Sequence, residues 1–415
     1  MSAEVGIEVL ECFLNGRHIG RFERRYLATV EFAYADSPQS GSDEQVVSLS
    51  LPRDRPHEKS AARNFLSNLL PETEAAKELL RTQTGARSAD DFELLRHVGG
   101  DVAGAIQLMP EGESPSEWID PPLIARTNAI SGRIQTIKAT GIPTGGLIAG
   151  DWPIRFSLAG VQAKFALANV DGEWFWPDAG TPSTHILKPE SPAHPGLEQL
   201  ETAALRLAEL AGVTAAVAEV AEFNGHTSFM TQRFDRVVDE SGLPVRLHAE
   251  DAVQAHGKEV DFKYHLGADE IVELLRSRGA DEVAYDFVQQ LAFNTGVKNA
   301  DAHGKNYSFL HAPDGSVGLS PLYDVVPMGF YPQYAQALSM SIGDEEQLVR
   351  LDTSRWKQFA DDTGLDTDRV LAIVTEASRG ILEHVDEAFG HIGLSTREAA
   401  IAEIKRYNER IVARR

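Results

Sequence analysis

The sequence predicts an α+β protein with two lobes, preceded by a smaller α+β domain. The chain has 415 residues, more than one hydrophobic core usually serves, so two or three packed units are expected. Strand-like patterns open the chain and return after residue 150, whereas residues 246–415 are mostly helical in pattern. Apolar residues make up 42% and charged residues 24%, a composition typical of globular proteins that argues against extensive disorder.

The first predicted domain covers residues 1–110 and combines strands with helices. Asn15-Gly16 is a typical hairpin turn, and apolar and polar residues alternate along residues 28–34. Helical spacing then appears, with Pro71 between two helices and Gly99-Gly100 after a third. The strands are predicted within residues 9–51, the last of them at Val46–Leu51, and the helices at Ala61–Leu70, Glu72–Leu80 and Asp90–His97.

A proline-rich stretch separates this domain from the two predicted lobes. Four prolines fall within residues 110–122, so residues 111–149 are predicted to be a linker region. Residues 150–245 form the predicted small lobe, which is β-rich apart from a helix at Leu197–Ala211. Residues 246–415 form the predicted large lobe, which is helical except for one hairpin. That hairpin is predicted from Tyr307–His311 and Val317–Leu322, which flank Pro313-Asp314-Gly315.

The charge balance excludes some classes of function. The chain has 39 Lys and Arg residues against 62 Asp and Glu residues, a formal net charge of −23. Such a field repels phosphate backbones and anionic lipid, so binding of nucleic acid or membranes by the chain alone is disfavoured.

The lone Cys12 excludes an internal disulfide and a cysteine-based metal cluster. With no signal peptide and no run of about 18 apolar residues, the sequence predicts a soluble cytoplasmic protein.

The segment Val297–Asn306 carries the strongest indication of chemistry, because it concentrates polar side chains directly before the hairpin. Within it Asp301 and Asn306 are five residues apart, and Asp324 follows the hairpin. Kinases use this layout: one Asp accepts the proton of the attacking hydroxyl, an Asn five residues later binds Mg²⁺, and a second Asp bridges Mg²⁺ to the phosphates. These side chains supply the hard oxygen ligands that magnesium prefers. The alternative interpretation is a loop capped by Asx turns.

Two further segments fit the same chemistry. Residues 157–164 lie between strand-like stretches and form a small-residue loop that could cover a nucleotide, although it matches neither Gly-x-Gly-x-x-Gly nor the Walker loop. Lys188 ends a strand-like stretch and Glu201 follows on a predicted helix, as in kinases that pair a strand lysine with a helical glutamate. Taken alone, Lys188 is better explained as a solvent-facing lysine at a strand end. The order of these elements along the chain is the order that a two-lobed, protein-kinase-like fold requires.

The same residues carry a resemblance to a known family. The chain resembles the HipA-type serine/threonine kinases, the toxins of bacterial type II toxin–antitoxin pairs, and the resemblance extends nearly from end to end. One departure is Ala249, where the family more often has Gln before the Glu-Asp pair. The matching stretches are Leu14–Gly16, Leu69–Glu72, Gly99–Ala105, Ser157–Lys164, Ser183–Lys188, Arg233–Arg236, His248–Asp251, Asn299–Asn306 and Tyr323–Val326.

The resemblance implies a role for each candidate site residue. Asp301 is implied to be the catalytic base, with Asn306 and Asp324 as magnesium ligands and Lys188 as a catalytic contact of the ATP phosphates. Ser157 matches the serine that the family's kinases autophosphorylate. The other implied nucleotide contacts are Ala159, Gly160 and Val161 in the phosphate loop, the backbone of Gln232, Arg233 and Phe234 beside adenine, and His303 and Lys305 beside phosphate.

The function predicted from these observations is that of an Mg-ATP-dependent serine/threonine protein kinase with a protein substrate. By resemblance, that substrate is often an aminoacyl-tRNA synthetase, so translation arrest is the expected consequence. The expected partner is a helix-turn-helix antitoxin of the HipB type, with DNA reached only through the antitoxin. One alternative is a small-molecule kinase of the aminoglycoside-phosphotransferase type, which shares the base, the Asn and the metal Asp. A second is a catalytically silent corepressor, which would lack the metal residues that this chain retains.

Overall fold

The computed structural model describes residues 7–26, 29–35, 45–115, 123–140, 162–190, 192–334 and 337–413. The chain forms two compact units, each built from separate segments. The first unit comprises Met1–Ala193, Ala221–Val260 and Leu310–Ser316, and the second comprises His194–Val220, Asp261–Phe309 and Val317–Arg415. The domains predicted from the sequence are contiguous stretches, and their boundaries stay predictions.

The first unit begins with an antiparallel sheet and the helices that follow it. In chain order the elements are β1 (Glu8–Leu14), β2 (Arg17–Tyr26), β3 (Thr29–Tyr34), α1 (Ala61–Ser67), α2 (Glu74–Thr84), α3 (Asp91–Val98), β4 (Ile106–Pro110) and α4 (Thr127–Thr140). The sheet has strand order β3-β2-β1-β4, and its neighbouring strands are antiparallel. The predicted turn between β1 and β2 is confirmed, since Asn15 and Gly16 have φ of 50° and 75°, the left-handed values of a type I′ turn.

Helix caps and a hydrophobic core stabilise these elements. Thr73 and Asp90 each precede a helix, and each accepts a hydrogen bond from a backbone N–H in the first turn of that helix. The core contains Phe22 from β2 and Phe65 from α1, whose rings stack with centroids 6.0 Å apart. Full burial of such a side chain contributes about 1.5–3 kcal/mol. The mixture of strands and helices predicted for this region is confirmed.

Residues 46–51 are not a strand, so that prediction is wrong. Leu51 N donates to Ser48 O (3.0 Å), which closes a turn, and Leu49 N donates to the carboxylate of Glu250 (2.8 Å). Val47 and Leu51 are fully buried. The apolar pattern therefore reflects the burial of an irregular segment, which a carboxylate from far along the chain helps to stabilise.

Helix α4 lies within residues 111–149, the region predicted to be a linker. Ile130, Ile134 and Ile137 recur at helical spacing and are fully buried. They belong to a hydrophobic cluster that also contains Phe165. The region is therefore not only a linker, because the prolines that suggest one are followed by a helix with a packed apolar face.

The middle of the chain supplies the sheet that carries Lys188. In chain order the elements of this part of the chain are β5 (Phe165–Val170), β6 (Glu173–Phe175), β7 (His185–Lys188), α5 (Leu197–Leu210), β8 (Ala218–Phe223), β9 (His226–Gln232), β10 (Arg236–Val238), β11 (Pro244–Arg246), β12 (His248–Asp251) and α6 (Ala252–Ala255). The sheet has strand order β6-β5-β7-β9-β8, and β7 pairs antiparallel with both β5 and β9. The predicted helix at Leu197–Ala211 is confirmed as α5. The strand-like stretch that precedes residues 157–164 lies outside the described residues.

The C-terminal part of the chain is mostly helical, as predicted. In chain order its elements are α7 (Ala268–Ser277), α8 (Asp281–Gly296), β13 (Ser308–His311), β14 (Val317–Leu319), β15 (Ala337–Ile342), β16 (Glu345–Gln347), α9 (Thr353–Thr363), α10 (Thr367–Phe389) and α11 (Arg397–Ala413). The predicted hairpin is confirmed, with Ala312 N donating to Ser316 O (2.9 Å) across its tip. Among the described residues, no helix has the length and apolar character needed to span a bilayer.

Helix packing within the second unit fixes the point where the candidate site begins. Helix α10 packs against α5, α8 and α11. A Cβ added to Gly296, the last residue of α8, would lie 2.4 Å from Ile381 Cδ1 of α10, so glycine permits this close approach. Asn408 of α11 donates to Gly296 O (2.9 Å). The segment that follows, Val297–Asn306, therefore starts from a helix end that two other helices hold.

Candidate active site

The predicted catalytic loop, Val297–Asn306, follows α8 directly and is mostly buried. Val297 N donates to Phe293 O (2.9 Å), and Lys298 then takes a left-handed conformation with φ of 61°. Such values are uncommon outside glycine and turn the chain sharply. The buried polar residues of the loop are Lys298, Asn299, His303, Lys305 and Asn306. The loop is therefore part of the interior of its unit and not a solvated turn.

Asn299 joins the catalytic loop to the segment that carries Asp324. Its Nδ2 donates to the side-chain oxygen of Asn294 in α8 (2.9 Å) and to the backbone oxygen of Asp324 (3.3 Å). Asn294 in turn donates to the hydroxyl of Tyr307 (3.0 Å). These hydrogen bonds between neutral groups bring the two predicted metal-binding segments together in the second unit.

The side chain of Asn306 reaches back across the loop to Asp301. Its Nδ2 donates to the backbone oxygen of Asp301 (3.0 Å), which also accepts from His303 N (2.8 Å). This bond caps the loop, as the Asx-turn interpretation anticipates. It also leaves the carboxamide oxygen of Asn306 as the side-chain atom that can bind a cation. The two interpretations are therefore compatible in the same residue.

The surroundings of Asp301 disfavour its negative charge. Although the residue is exposed, the loop on either side of it is buried. This partial burial, together with the negative charge of Asp324, raises the pKa of Asp301 to about 6. The charge of Lys263 and hydrogen bonds from Tyr264 and Ser339 act in the opposite direction. A carboxylate with a raised pKa is suited to accepting a proton near neutral pH.

Asp324 lies at a strained point of the backbone. Its φ is 57°, in the left-handed region that few residues other than glycine, asparagine and aspartate adopt. The neighbouring Tyr323 donates its hydroxyl to Lys305 O (2.7 Å) and shares a hydrogen bond with Ser308 Oγ (2.7 Å). Tyr323 thus ties the Asp324 segment to the end of the catalytic loop, and strain of this kind is typical of functional positions.

Asn306 and Asp324, the two predicted magnesium ligands, carry the hard oxygen donors that suit this cation. Magnesium is usually bound through one or two carboxylates, with waters and substrate phosphates completing its coordination. Across the described ranges, no group of three or more His, Cys, Asp or Glu side chains could hold a metal ion. The negative charge of Asp324 contributes to the raised pKa of Asp301, and a bound cation would relieve that repulsion.

Lys188 and Glu201, which the sequence pairs, lie in different units. Lys188 is buried at the end of β7, and its Nζ lies 5.3 Å from the centroid of the Phe229 ring on β9. The alternative interpretation of a solvent-facing lysine is therefore wrong. Glu201 is also buried, on α5 of the second unit. The pairing of the two side chains stays a prediction.

The segment predicted to take adenine, Gln232–Phe234, lies at the end of β9. Arg233 N donates to Thr184 O (2.8 Å), and Arg233 O accepts from Arg236 N (3.3 Å). Recognition of adenine through the Arg233 amide would require this strand pairing to open. The adenine contacts of Gln232 and Phe234 stay predictions.

The phosphate loop is described only at its end. Its predicted residues Ser157, Ala159, Gly160 and Val161 lie outside the described residues, which resume at residue 162. Ala163 is buried in the same hydrophobic cluster as Phe165 at the start of β5. The nucleotide contacts of the loop stay predictions.

Two residues beside Asp301 are not predicted from the sequence. Tyr264 donates its hydroxyl to Asp301 Oδ1 (3.4 Å), and its ring meets the His303 ring edge-on with centroids 5.2 Å apart. Lys263 precedes it on a short 3₁₀ helix and lowers the pKa of Asp301 through its charge. No local motif marks either residue, because folding alone brings them to the catalytic loop.

Comparison with protein families gives this arrangement a context. The family model of the HipA N-terminal domain matches residues 10–109, and that of the HipA-like C-terminal domain matches residues 156–385, more than half of the chain. The chain belongs to the HipA family. The resemblance inferred from sequence motifs is confirmed, and Asp301, Asn306 and Asp324 all fall within the matched C-terminal domain.

Two relatives cover most of the chain. The Y4mE protein of Sinorhizobium fredii is 34% identical over 398 residues, covering 92% of this chain and 94% of the relative. The serine/threonine-protein kinase toxin HipA of Shewanella oneidensis is 30% identical over 366 residues, covering 82% of this chain and 80% of the relative. The second of these relatives is thus named as a serine/threonine-protein kinase toxin.

A solved structure has the same HipA fold. The complex of Shewanella oneidensis MR-1 HipA with HipB and operator DNA aligns with a TM-score of 0.78 at 28% identity, covering 98% of this chain and 96% of that HipA chain. The predicted α+β, protein-kinase-like fold class is confirmed by this match.

Proposed function

We propose that this chain is an Mg-ATP-dependent serine/threonine protein kinase and the toxin of a HipA/HipB-like toxin–antitoxin pair. The observation that carries the proposal is the convergence of Asp301, Asn306 and Asp324. Asn306 bonds to the Asp301 backbone (3.0 Å), and the charge of Asp324 contributes to the raised Asp301 pKa. A silent corepressor is disfavoured, because the chain retains all of these residues.

In this proposal Asp301 is the general base. Its carboxylate accepts the proton of an acceptor serine or threonine hydroxyl while that oxygen forms a bond to the γ-phosphorus of ATP. The bond from the γ-phosphorus to the bridging oxygen breaks, and ADP leaves with its electron pair. A pKa of about 6 leaves Asp301 mostly ionised at neutral pH while still able to hold the transferred proton.

The remaining site residues are proposed to bind and orient the nucleotide. Asn306 and Asp324 are the magnesium ligands, and bound magnesium supplies charge neutralisation at the phosphates. Lys188 provides a buried cation for the phosphates. His303 and Lys305, which are buried and follow Asp301 closely in the chain, provide further contacts.

The test is incubation of the purified chain and a protein extract with labelled ATP and Mg²⁺, followed by mass mapping of the transferred phosphate. A protein kinase places label on serine or threonine, and Asp301→Asn places none. Label confined to small molecules would instead identify the small-molecule kinase. Bound ATP with no transfer at all would identify the silent alternative.

Autophosphorylation of Ser157 is part of the proposal and depends on the family resemblance. A phosphate adds about −1.5 to −2 charges at neutral pH. In a loop over the ATP phosphates, that charge repels nucleotide and switches the kinase off. If the hydroxyl only caps a hairpin, Ser157→Ala changes stability slightly and regulation not at all. Phosphopeptide mapping and ATP binding by the modified chain distinguish these outcomes.

The proposed partner is a basic helix-turn-helix antitoxin of the HipB type. The HipA structure that aligns with this chain was solved with HipB and operator DNA. A net charge of −23 favours contact with a basic protein over contact with DNA. The protein substrate, such as an aminoacyl-tRNA synthetase, and the resulting translation arrest depend on the family resemblance. Tight, salt-sensitive DNA binding by the isolated chain would contradict this arrangement.

A further inference from the structure

The first unit contains a buried cluster of charged side chains outside the catalytic loop. Its members are Asp101, Arg233, Asp235, Arg236 and Arg246, whose side chains are at most 10% exposed. Asp101 comes from the loop between α3 and β4, in the part that matches the HipA N-terminal domain. Arg233, Asp235 and Arg236 come from the turn that joins β9 to β10, and Arg236 is also the first residue of β10. The cluster, named here the hinge cluster, therefore links the N-terminal domain to the segment proposed to take adenine.

Asp101 is the acceptor at the centre of the hinge cluster. Its Oδ1 accepts hydrogen bonds from Arg236 Nη2 (3.0 Å) and Arg246 Nη2 (3.3 Å), and its Oδ2 accepts from Ser183 Oγ (2.5 Å). Ser183 Oγ also accepts from Arg233 Nη1 (2.9 Å). Asp101 thus contacts the three arginines of the cluster directly or through one hydroxyl.

The backbone of the Asp101 loop bonds to the same turn. Gly104 N donates to Asp235 Oδ2 (2.7 Å), and Gly104 O accepts from Arg236 Nη1 (2.9 Å). Val102 O accepts from Arg233 Nη2 (2.9 Å). A displacement of residues 101–104 would therefore pull on each of these three side chains of the turn.

Gly104 allows the loop to lie this close. Its φ is 73°, and a Cβ at this position would lie 2.5 Å from Ala249 O and 2.8 Å from Ala249 N in β12. Any larger residue would push the loop away from β12 and from the turn. The loop is thus held from two sides.

The hinge cluster fixes only one side of the turn. Arg233, Asp235 and Arg236 direct their side chains into the interior, whereas Gln232 is exposed and Phe234 is half-buried. Arg236 N donates to Arg233 O (3.3 Å), which closes the turn itself. The printed bonds of the cluster therefore reach the turn through its buried side chains, and Gln232 is the residue of the segment that is exposed to solvent.

We propose that the hinge cluster positions the adenine-binding backbone of Gln232–Phe234, so that Asp101, Asp235 and Arg236 set the affinity of the chain for ATP. The N-terminal domain thereby takes part in nucleotide binding without touching the nucleotide. This inference rests on the proposed kinase function, since it assumes that adenine binds at this segment.

The test compares two arginines of matched burial. Arg236 and Arg24 are 8% and 7% exposed, and each is bound to two carboxylates, Arg24 to Glu8 and Asp90. Arg24 lies far from the turn in sequence, within β2 of the N-terminal sheet. Arg236→Met and Asp101→Asn are expected to weaken Mg-ATP binding about ten-fold in calorimetric titration. Arg24→Met should leave that affinity unchanged.

Two further readouts separate positioning from general damage. Phosphotransfer at saturating ATP should stay near the wild-type rate in Arg236→Met and Asp101→Asn, so that KM for ATP rises while kcat does not change. Affinity for Mg-tripolyphosphate, which carries no adenine, should also be unchanged. If Arg236→Met does not fold, Ser183→Ala removes one hydroxyl from the same cluster and should weaken ATP binding in the same direction.

The outcomes distinguish this inference from the proposed function. Folded Arg236→Met, Asp101→Asn and Ser183→Ala with wild-type ATP affinity would overturn the positioning role while leaving the kinase assignment intact. Equal losses of ATP and tripolyphosphate binding would overturn it as well, because the defect would then not lie at adenine. Failure of the wild-type chain to bind ATP would overturn both.

Discussion

Asp101 and Asp235 lie among arginines in the first unit, whereas Asp301 lies beside a second carboxylate, that of Asp324, in the second unit. For the first pair, burial alone would raise the pKa, but the charges of the neighbouring arginines outweigh burial and hold both pKa values below the usual range. For Asp301, partial burial and the nearby negative charge act together and raise the pKa to about 6. The pKa of the same residue type is thus shifted in opposite directions in the two units.

This difference indicates two uses of a carboxylate. A buried carboxylate bonded to guanidinium groups holds segments of backbone together, and removing it leaves positive charges unbalanced. A carboxylate kept beside another one opposes folding but is prepared to take up a proton or a cation. Functional sites commonly reduce stability in this way. Substitutions at Asp301 and at Asp235 show whether the two groups behave so differently.

The largest expected effect is the loss of phosphotransfer in Asp301→Asn. Removing a general base typically lowers turnover by about 10²- to 10⁴-fold. Asparagine keeps the shape of the side chain, so ATP affinity should change little and the protein should remain folded. Transfer of labelled phosphate at saturating Mg-ATP measures the effect. Turnover within a few-fold of wild type would remove Asp301 from this role.

The second effect is a loss of stability in Asp235→Ala. Breaking a buried ion pair by removing one partner costs about 3–5 kcal/mol. Unfolding in urea, followed by circular dichroism, measures it. Glu282→Ala is the control, since Glu282 pairs with Arg369 at the surface (2.6 Å), where an ion pair contributes little. Equal midpoints for the two variants would show that the hinge cluster does not stabilise the fold.

A third effect separates the two proposed magnesium ligands. Asp324→Ala should weaken Mg-ATP binding about ten-fold or more and reduce turnover with it, because Asp324 carries the charge that faces the metal. Asn306→Ala should mainly reduce turnover, since a neutral ligand is lost. Titration with ATP in the absence of Mg²⁺ is the control, in which Asp324→Ala should not bind more weakly than wild type. Unchanged Mg-ATP affinity in Asp324→Ala would place the metal elsewhere.

Much of the fold follows from local sequence patterns. The Asn15-Gly16 turn, helix α5 and the hairpin around Pro313-Asp314-Gly315 are found where residue spacing and turn chemistry predict them. The strand prediction for residues 46–51 is wrong because their partner, Glu250, lies about 200 residues further along the chain. Apolar alternation cannot distinguish a strand from an irregular segment that is buried by such a distant contact.

The candidate site shows the same division between local and distant signals. Spacing identifies Asp301, Asn306 and Asp324, because the chemistry requires these residue types in this order. Spacing does not identify Tyr264, whose hydroxyl reaches Asp301 only in the folded chain (3.4 Å). The motifs that contain Asp101 and Asp235 are visible in the sequence, but the bonds that join them are not.

The smallest expected effect is a gain of stability in Asp301→Asn, opposite in sign to the loss expected when Asp235 of the hinge cluster is replaced. The folded pKa of Asp301 is about 6, above the ordinary value of about 3.9. Ionised Asp301 therefore opposes folding, and this effect is complete only above about pH 6. Below the ordinary value it is protonated in both states and has no such effect. Asp301→Asn should therefore raise the unfolding midpoint slightly at about pH 7.5, and this gain should shrink between about pH 6 and pH 4.

Asp235→Asn provides the contrast within the same experiment. The folded pKa of Asp235 is depressed, so its ionised form stabilises the fold above the unfolded value, and that contribution disappears only as the pH falls towards the folded pKa. Asp235→Asn should therefore lower the midpoint both at neutral pH and at about pH 5, where the gain from Asp301→Asn has already declined. Thermal unfolding in buffers with a chelator, which keeps metal from the site, measures both variants. A lower midpoint for Asp301→Asn at neutral pH would show that its carboxylate stabilises the fold, as the buried aspartates do, and the proposed division between the two groups would fail.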